Sequence, residues 1–242
     1  MKVAAYQAPL LPAGSMDALA LIGDRVKWCE AEGVDILCCP EAVLGGLADD
    51  VECPADIAID ANSGELDALL APLANSSVAV IVGFTQSAGG GKLYNAAALF
   101  HDGRVVGIYR KRHPAIRTSV YSAGDQSPIF TVGRLSFGIM ICNDSNYPEI
   151  AADMAARGAR VIFVPSNNGL PPAKADVVAL SRAVDIARAR DNRVTVVRAD
   201  VAGRTATQVS FGSSAIVDPR GTVLRAAQAL REDILVAEVD DW

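Results

Sequence analysis

Histidine is nearly missing from these 242 residues: there are two, and the five cysteines, at 29, 38, 39, 53 and 142, form no CxxC pair and no compact framework. A transition-metal site built from protein ligands needs clustered imidazoles or thiolates, so no metal is expected. An odd, scattered set of thiols fits a reducing compartment better than a disulfide scaffold. Basic charge is short as well. The 22 Lys and Arg face 28 Asp and Glu, a net charge of −6, and the longest basic run is Arg110-Lys111-Arg112. That leaves no electrostatic footprint for nucleic acid or an anionic membrane. No apolar stretch nears the roughly 18 residues of a membrane-spanning helix; Val78 to Phe84 is strand-sized. Gln7, Pro9, Pro12 and Gly14 interrupt the start of the chain before a signal-peptide core can form. The expectation is a cytoplasmic protein acting on a small molecule. Nucleotide signatures are missing too: Gly91-Lys92 lacks the upstream glycine of a phosphate loop, and no GxGxxG follows the first strand. No cofactor is expected, and Gly212-Ser213-Ser214 is not a serine nucleophile elbow.

What the chain does have is apolar residues. They make up 51% of it against 21% charged, which excludes disorder and leaves apolar surface for a subunit interface. The length suits one globular unit over residues 1–242. Periodicity predicts a strand at Val3–Gln7, a helix at Met16–Glu32, a strand at Val34–Cys39 and a helix at Gly64–Ala74. Strands follow at Val78–Phe84, Tyr94–His101 and Arg104–Tyr109, the last two joined by an Asp102-Gly103 hairpin turn. The second half reads similarly: a hairpin over Ile129–Cys142, helices at Pro148–Arg157 and Ala175–Asp191, and strands at Arg160–Val164, Val194–Ala199, Ser213–Val217, Val223–Arg225 and Ile234–Val239. Val177, Leu180, Val184 and Ala187 mark the expected buried stripe of the last helix. This order predicts an α/β protein of two mixed sheets, each covered by helices on one face and packed together through the other.

Three polar residues stand where such strands end. Cys142 closes the apolar run Leu135-Ser-Phe-Gly-Ile-Met-Ile and is followed by Asn143-Asp144-Ser145-Asn146. A side chain at the carboxyl end of a buried strand, just before a helix, meets a cleft and free backbone N–H groups. A lone cysteine is more often a buried structural residue, the better reading of Cys29, Cys38, Cys39 and Cys53. A thiol of ordinary pKa also needs a base or a cation to act as a nucleophile. Glu41 follows Ile36-Leu37-Cys38-Cys39-Pro40, Lys111 follows the strand ending at Tyr109, and His113 is a further candidate partner. Singly, Glu41 reads as a helix-start acid and Lys111 as part of a solvated basic run. Three polar groups ending three apolar strands are harder to dismiss.

The ordered set Pro40-Glu41, Tyr109-Arg-Lys111-Arg-His113 and Cys142-Asn-Asp144-Ser-Asn-Tyr147-Pro148-Glu149 resembles the nitrilase superfamily of carbon–nitrogen hydrolases. Lys2-Val3 to Gln7, Tyr94-Asn95-Ala96, Pro165-Ser166, Arg190-Asp191-Asn192 and Gly212-Ser213-Ser214 to Asp218-Pro219-Arg220-Gly221 extend the likeness over nearly the whole chain. The resemblance implies a four-layer αββα sandwich that forms a homodimer or higher oligomer. It implies Glu41 as general base, Cys142 as nucleophile, and Lys111 with the Asn143 backbone N–H as oxyanion donors. His113 becomes a supporting residue. Asn146, Tyr147, Ser166, Asn167 and Asn168 are expected to line the pocket, although Asn167 and Asn168 before Gly169 also suit a turn. The implied activity is an amidase forming a Cys142 thioester, with a nitrilase or an N-carbamoyl amide hydrolase as alternatives. One departure stands out. The segment Pro114 to Gly124 has no counterpart of the second glutamate many members carry there; Arg117 and Ser119 occupy the positions. Either another acid substitutes, or the substrate range or activity has shifted, up to a binding protein without catalysis on the same scaffold.

Overall fold

The structure, a computed structural model, describes residues 1–115, 118–172 and 177–240. In the first half the elements are β1 (Lys2–Pro9), α1 (Ala18–Ala31), β2 (Ile36–Cys38), β3 (Ala58–Ile59), α2 (Glu65–Leu70), β4 (Ala79–Ala88), β5 (Lys92–His101) and β6 (Arg104–Arg110). The second half holds β7 (Ile129–Val132), β8 (Leu135–Ile139), α3 (Pro148–Ala156), β9 (Val161–Pro165), α4 (Val177–Asn192) and β10 (Thr195–Ala199). It closes with β11 (Val201–Arg204), β12 (Val209–Ser210), β13 (Ala215–Val217), β14 (Val223–Ala226) and β15 (Asp233–Glu238). Asp102 and Gly103 both take positive φ, +52° and +73°, the backbone that a two-residue hairpin turn demands.

Strand alternation sets the layers. Along β1, Ala4 and Tyr6 face one way and join Ile22, Val26 and Cys29 of α1 and Leu66 and Leu70 of α2. Val3 and Ala5 face the other way and pack with Phe137, Ile139, Phe163 and Val196 of the second sheet, as a period of two requires. That second cluster reaches on to Ile150, Ala151 and Met154 of α3 and Ala189 of α4. The order is helix, sheet, sheet, helix. Among the described residues the first sheet runs β12-β11-β1-β2-β4-β5-β6, with β15 on β1 and β3 on β4, and the second runs β14-β13-β10-β9-β8-β7.

The two sheets are not the two halves of the chain. β15 returns to lie antiparallel to β1 from Lys2↔Glu238 to Gln7↔Asp233, and β11 continues along β1 at Ala8↔Val201. Two expectations need correction. The strand expected to run to Cys142 stops at Ile139, because Cys142 takes φ +45° and opens a 3-10 turn, Cys142–Asn146. The helix stripe is also different: Leu180 is 63% exposed, and α4 buries Asp185 and Ala189. The apolar pattern misleads there because the inward face holds a carboxylate with a buried partner. Residues 175–176 of the expected helix lie outside the described residues.

Candidate active site

Parallel neighbours present their carboxyl ends at one edge, and that edge gathers the three strand-ending polar residues. Glu41 sits in the turn after β2. The turn lies so close on β4 that a Cβ at Gly83 would stand 2.3 Å from the Pro40 carbonyl oxygen and 2.5 Å from the Ala42 nitrogen, so only glycine fits there. Lys111 follows β6, its N–H donating to the Asn95 carbonyl of β5 at 2.8 Å. From the second sheet, Cys142 follows β8. Its left-handed backbone is costly for a side chain with a Cβ, and it turns the chain from strand into the 3-10 turn.

Glu41 and Lys111 are 2% and 4% exposed. Lys111 Nζ donates to Glu41 Oε1 at 2.5 Å, Asn95 Nδ2 donates to the same oxygen at 2.8 Å, and the Asn167 N–H donates to Oε2 at 2.9 Å. Burial pushes the Lys111 ammonium down, but the Glu41 carboxylate and the neighbouring Cys142 and Asp144 outweigh it, so its pKa stands above the ordinary lysine value. The Cys142 thiol is pushed up to about 12, first by burial and then by the Glu41 carboxylate, with Lys111 and Arg198 pulling the other way. A thiol so placed is protonated at neutral pH and needs a base at the moment of attack.

Asp144 joins the cysteine turn to the lysine segment. Its Oδ2 accepts from the Tyr109 hydroxyl at 2.7 Å and the Ile141 N–H at 3.0 Å, and its Oδ1 accepts from the His113 N–H at 2.8 Å. The His113 ring stands 3.3 Å from the same oxygen and stacks on Tyr147 at 3.5 Å between centroids. Burial raises the Asp144 pKa, against these hydrogen bonds and the Lys111 cation.

A cavity of about 680 Å³ opens onto this edge; Glu41, Asn95, Lys111, Cys142, Asn143, Asn146, Asn167 and Asn168 all lie on its wall. Tyr147 and Ser166, also expected there, are not on that wall. Tyr147 is taken up by His113, and the Ser166 hydroxyl accepts from Arg198 at 2.5 Å. Asn167 does form the anticipated turn, its Oδ1 accepting from the Gly169 N–H. Asn168 is buried, held by Asp200 and Ser213, with its Oδ1 3.9 Å from Cys142 Sγ. No acid lies between Lys111 and Gly124, but the Ser119 hydroxyl and the Val120 N–H both bind Asp49, which brings a carboxylate from residues 48–50 to the wall. Arg117 lies outside the described residues. Among the described residues no group of three or more His, Cys, Asp or Glu is placed to hold a metal ion.

The sequence reading missed the buried supports. Arg198 makes a bidentate pair with Asp185 of α4 at 2.7 and 2.6 Å and also reaches Ser145 and Ser166 on either side of the site. Asp200 holds the 167–168 turn through the Asn168 N–H and Nδ2. The signal was there: Arg198 interrupts the apolar strand Thr195–Ala199, and Asp200 ends it. Breaking a buried pair leaves a bare charge and costs about 3–5 kcal/mol, so Asp185→Ala should lose that much stability in a urea titration. The double change Asp185→Leu/Arg198→Met should recover most of it.

Three comparisons bear on the whole chain. A family model described as carbon–nitrogen hydrolase matches residues 2–241. A nitrilase of Pyrococcus abyssi is 32% identical over 218 residues, 89% of this chain and 80% of its own. An (R)-stereoselective amidase of a Pseudomonas species is 30% identical over 87% of this chain and 74% of its own. Among solved structures, an amidase from Nesterenkonia sp. superposes with a TM-score of 0.82 at 22% identity, over 100% of this chain and 90% of that one. The glutamine-dependent NAD+ synthetase of Acinetobacter baumannii gives 0.84 at 20% identity, over 99% of this chain but only 45% of that one. These two likenesses bear on the fold alone.

Proposed function

This chain belongs to the carbon–nitrogen hydrolase family of the nitrilase superfamily, and from that premise we propose that it is an amidase releasing ammonia from small uncharged amides through a thioester on Cys142. The observation that carries the reading is the 2.5 Å contact between Glu41 and Lys111 on the wall of the cavity that Cys142 also faces.

The chemistry follows from that arrangement. Glu41 takes the thiol proton as Cys142 Sγ attacks the amide carbon. The oxyanion that forms is met by Lys111 Nζ and the Asn143 N–H, donors typically worth ~3 kcal/mol each. As the tetrahedral intermediate collapses, Glu41 returns the proton to the leaving nitrogen, and ammonia departs from a thioester. Water then gives a proton to the same carboxylate and attacks, and the acid and the free thiol are restored.

The wall argues for the substrate's charge. Leu47, Leu170 and Pro171 supply apolar surface, and Asp49 and Asp50 supply negative charge. The cations on the wall among the described residues, Lys111 and Arg198, are held by Glu41 and Asp185. A substrate carboxylate would meet repulsion without a clamp. Ammonia release over a panel of amides, N-carbamoyl compounds and nitriles should therefore be fastest with a neutral aliphatic amide. Its kcat/KM should exceed that of the carboxylate-bearing analogue by about tenfold or more. Preference for the anionic analogue would refute the assigned substrate class, and conversion of nitriles in place of amides would make the protein a nitrilase.

A further inference from the structure

Asn95 carries an atom with nothing to bind. The residue is 2% exposed and lies on the cavity wall, yet among the described residues its Oδ1 has no hydrogen-bond partner. Buried amide oxygens are ordinarily satisfied, and one left open beside a reactive group calls for an explanation. Chemistry fixes the direction of the side chain. Nδ2 faces Glu41 Oε1 at 2.8 Å, and a carboxylate oxygen can only accept, so the amide cannot be turned over without setting two acceptors against each other. The backbone is fixed as well: Asn95 pairs with Thr85 across β4 and β5, and its carbonyl accepts from the Lys111 N–H. The unpaired, buried acceptor is thus held on the same carboxamide carbon as the nitrogen that touches the general base.

We propose that Asn95 Oδ1 accepts a hydrogen bond from the leaving-group nitrogen of the substrate amide, so that one carboxamide positions both Glu41 and the atom Glu41 must protonate. The proposal rests on the amidase reading above. An acceptor there can hold an N–H but repels an oxyanion, so it distinguishes the nitrogen side of the tetrahedral centre from the oxygen side that Lys111 serves. The hydrolytic water enters where ammonia left, and donates to the same two oxygens. Asp49 also lies on the wall, but its two oxygens already receive the Ser119 hydroxyl and the Val120 N–H, and the Asn168 amide oxygen is turned toward Cys142 Sγ, 3.9 Å away. In a chain with no acid between Lys111 and Gly124, the unpaired Asn95 oxygen supplies an acceptor beside the general base.

The test uses a substrate pair that differs only in the leaving group: a primary amide, which has N–H donors, and an alkyl ester of the same acid, which has none. Both pass through one acyl-enzyme, so kcat/KM isolates acylation. In Asn95→Ala both values should fall, because Glu41 loses the Nδ2 donor, but the amide should fall about 10- to 100-fold further than the ester. Asn95→Leu, close in volume, carries the same expectation should the alanine variant not fold. Asn95→Asp keeps an acceptor oxygen, and its amide-to-ester ratio should stay within about threefold of the wild type even as both rates drop. Equal losses on amide and ester in the alanine or leucine variant would overturn the proposal and leave Asn95 as a support for Glu41. A wild-type protein that turns over neither substrate would instead sink the amidase reading, and the proposal with it.

Discussion

Replacing Cys142 by alanine should lower kcat/KM for ammonia release by at least ~10⁵, because Cys142 is the one thiol on the cavity wall among the described residues and what remains without it is binding and oxyanion stabilisation. The change is small in structural terms. Sγ makes one long polar contact, 3.9 Å to Asn168 Oδ1, and φ at this position is +45°, a conformation alanine bears no worse than cysteine. The variant should therefore fold with stability near that of the wild type, measured by urea titration. Loss of activity together with loss of the fold would leave the nucleophile unassigned; loss of activity alone assigns it.

Glu41→Gln should cost about 10⁴ in kcat/KM, since one carboxylate serves as base for the thiol, acid for the leaving nitrogen and base for water. Here stability should change too. Glu41 accepts from Lys111, Asn95 and the Asn167 N–H, and a glutamine offers one acceptor oxygen where two are used. It also leaves a buried ammonium without its counter-charge, at a cost of about 3–5 kcal/mol. The pH dependence gives the sign. In the wild type the folded Lys111 pKa is raised above 10.5, so the pair's stabilisation is fully present below 10.5 and is lost as the pH climbs toward the folded value. In the variant burial dominates and the shift reverses. The variant should gain stability as pH rises toward 10.5, where the wild type holds level. Parallel curves for the two proteins in urea titrations across that range would contradict the pairing.

The candidate site residues were legible because each ends a run of apolar residues, and a polar group at the end of a buried strand stands out against its neighbours. The layers were legible from alternation, as Val3 and Ala5 against Ala4 and Tyr6 illustrate. Partnership was not. Periodicity identifies Ile234–Val239 as a strand but cannot say that it closes against β1 rather than beside β14. The strands at Val201–Arg204 and Val209–Ser210 are too short for a period to register. The face of α4 was misread because a buried ion pair looks polar in sequence: Asp185 reads as solvent-facing until Arg198 is found beneath it. Cys142 itself was placed on a strand because Leu135 to Ile141 alternates well, and a backbone reversal at one residue leaves no trace in hydrophobicity. The absent second glutamate was plain in the sequence. That Asp49 comes to the same loop from about seventy residues earlier, and that Asn95 keeps an unpaired acceptor, could only be seen in three dimensions.

The central claim is that Cys142 carries the acyl group, and intact-mass spectrometry of the protein quenched in acid during turnover of a slow amide tests it directly. The mass should rise by the acyl group less one hydrogen, the added mass should map to the peptide containing Cys142, and hydroxylamine should release it as the hydroxamate. Cys142→Ala should show none of this. Steady ammonia release with the adduct on a different residue, or with no hydroxylamine-labile adduct trapped under any quench, would contradict the account.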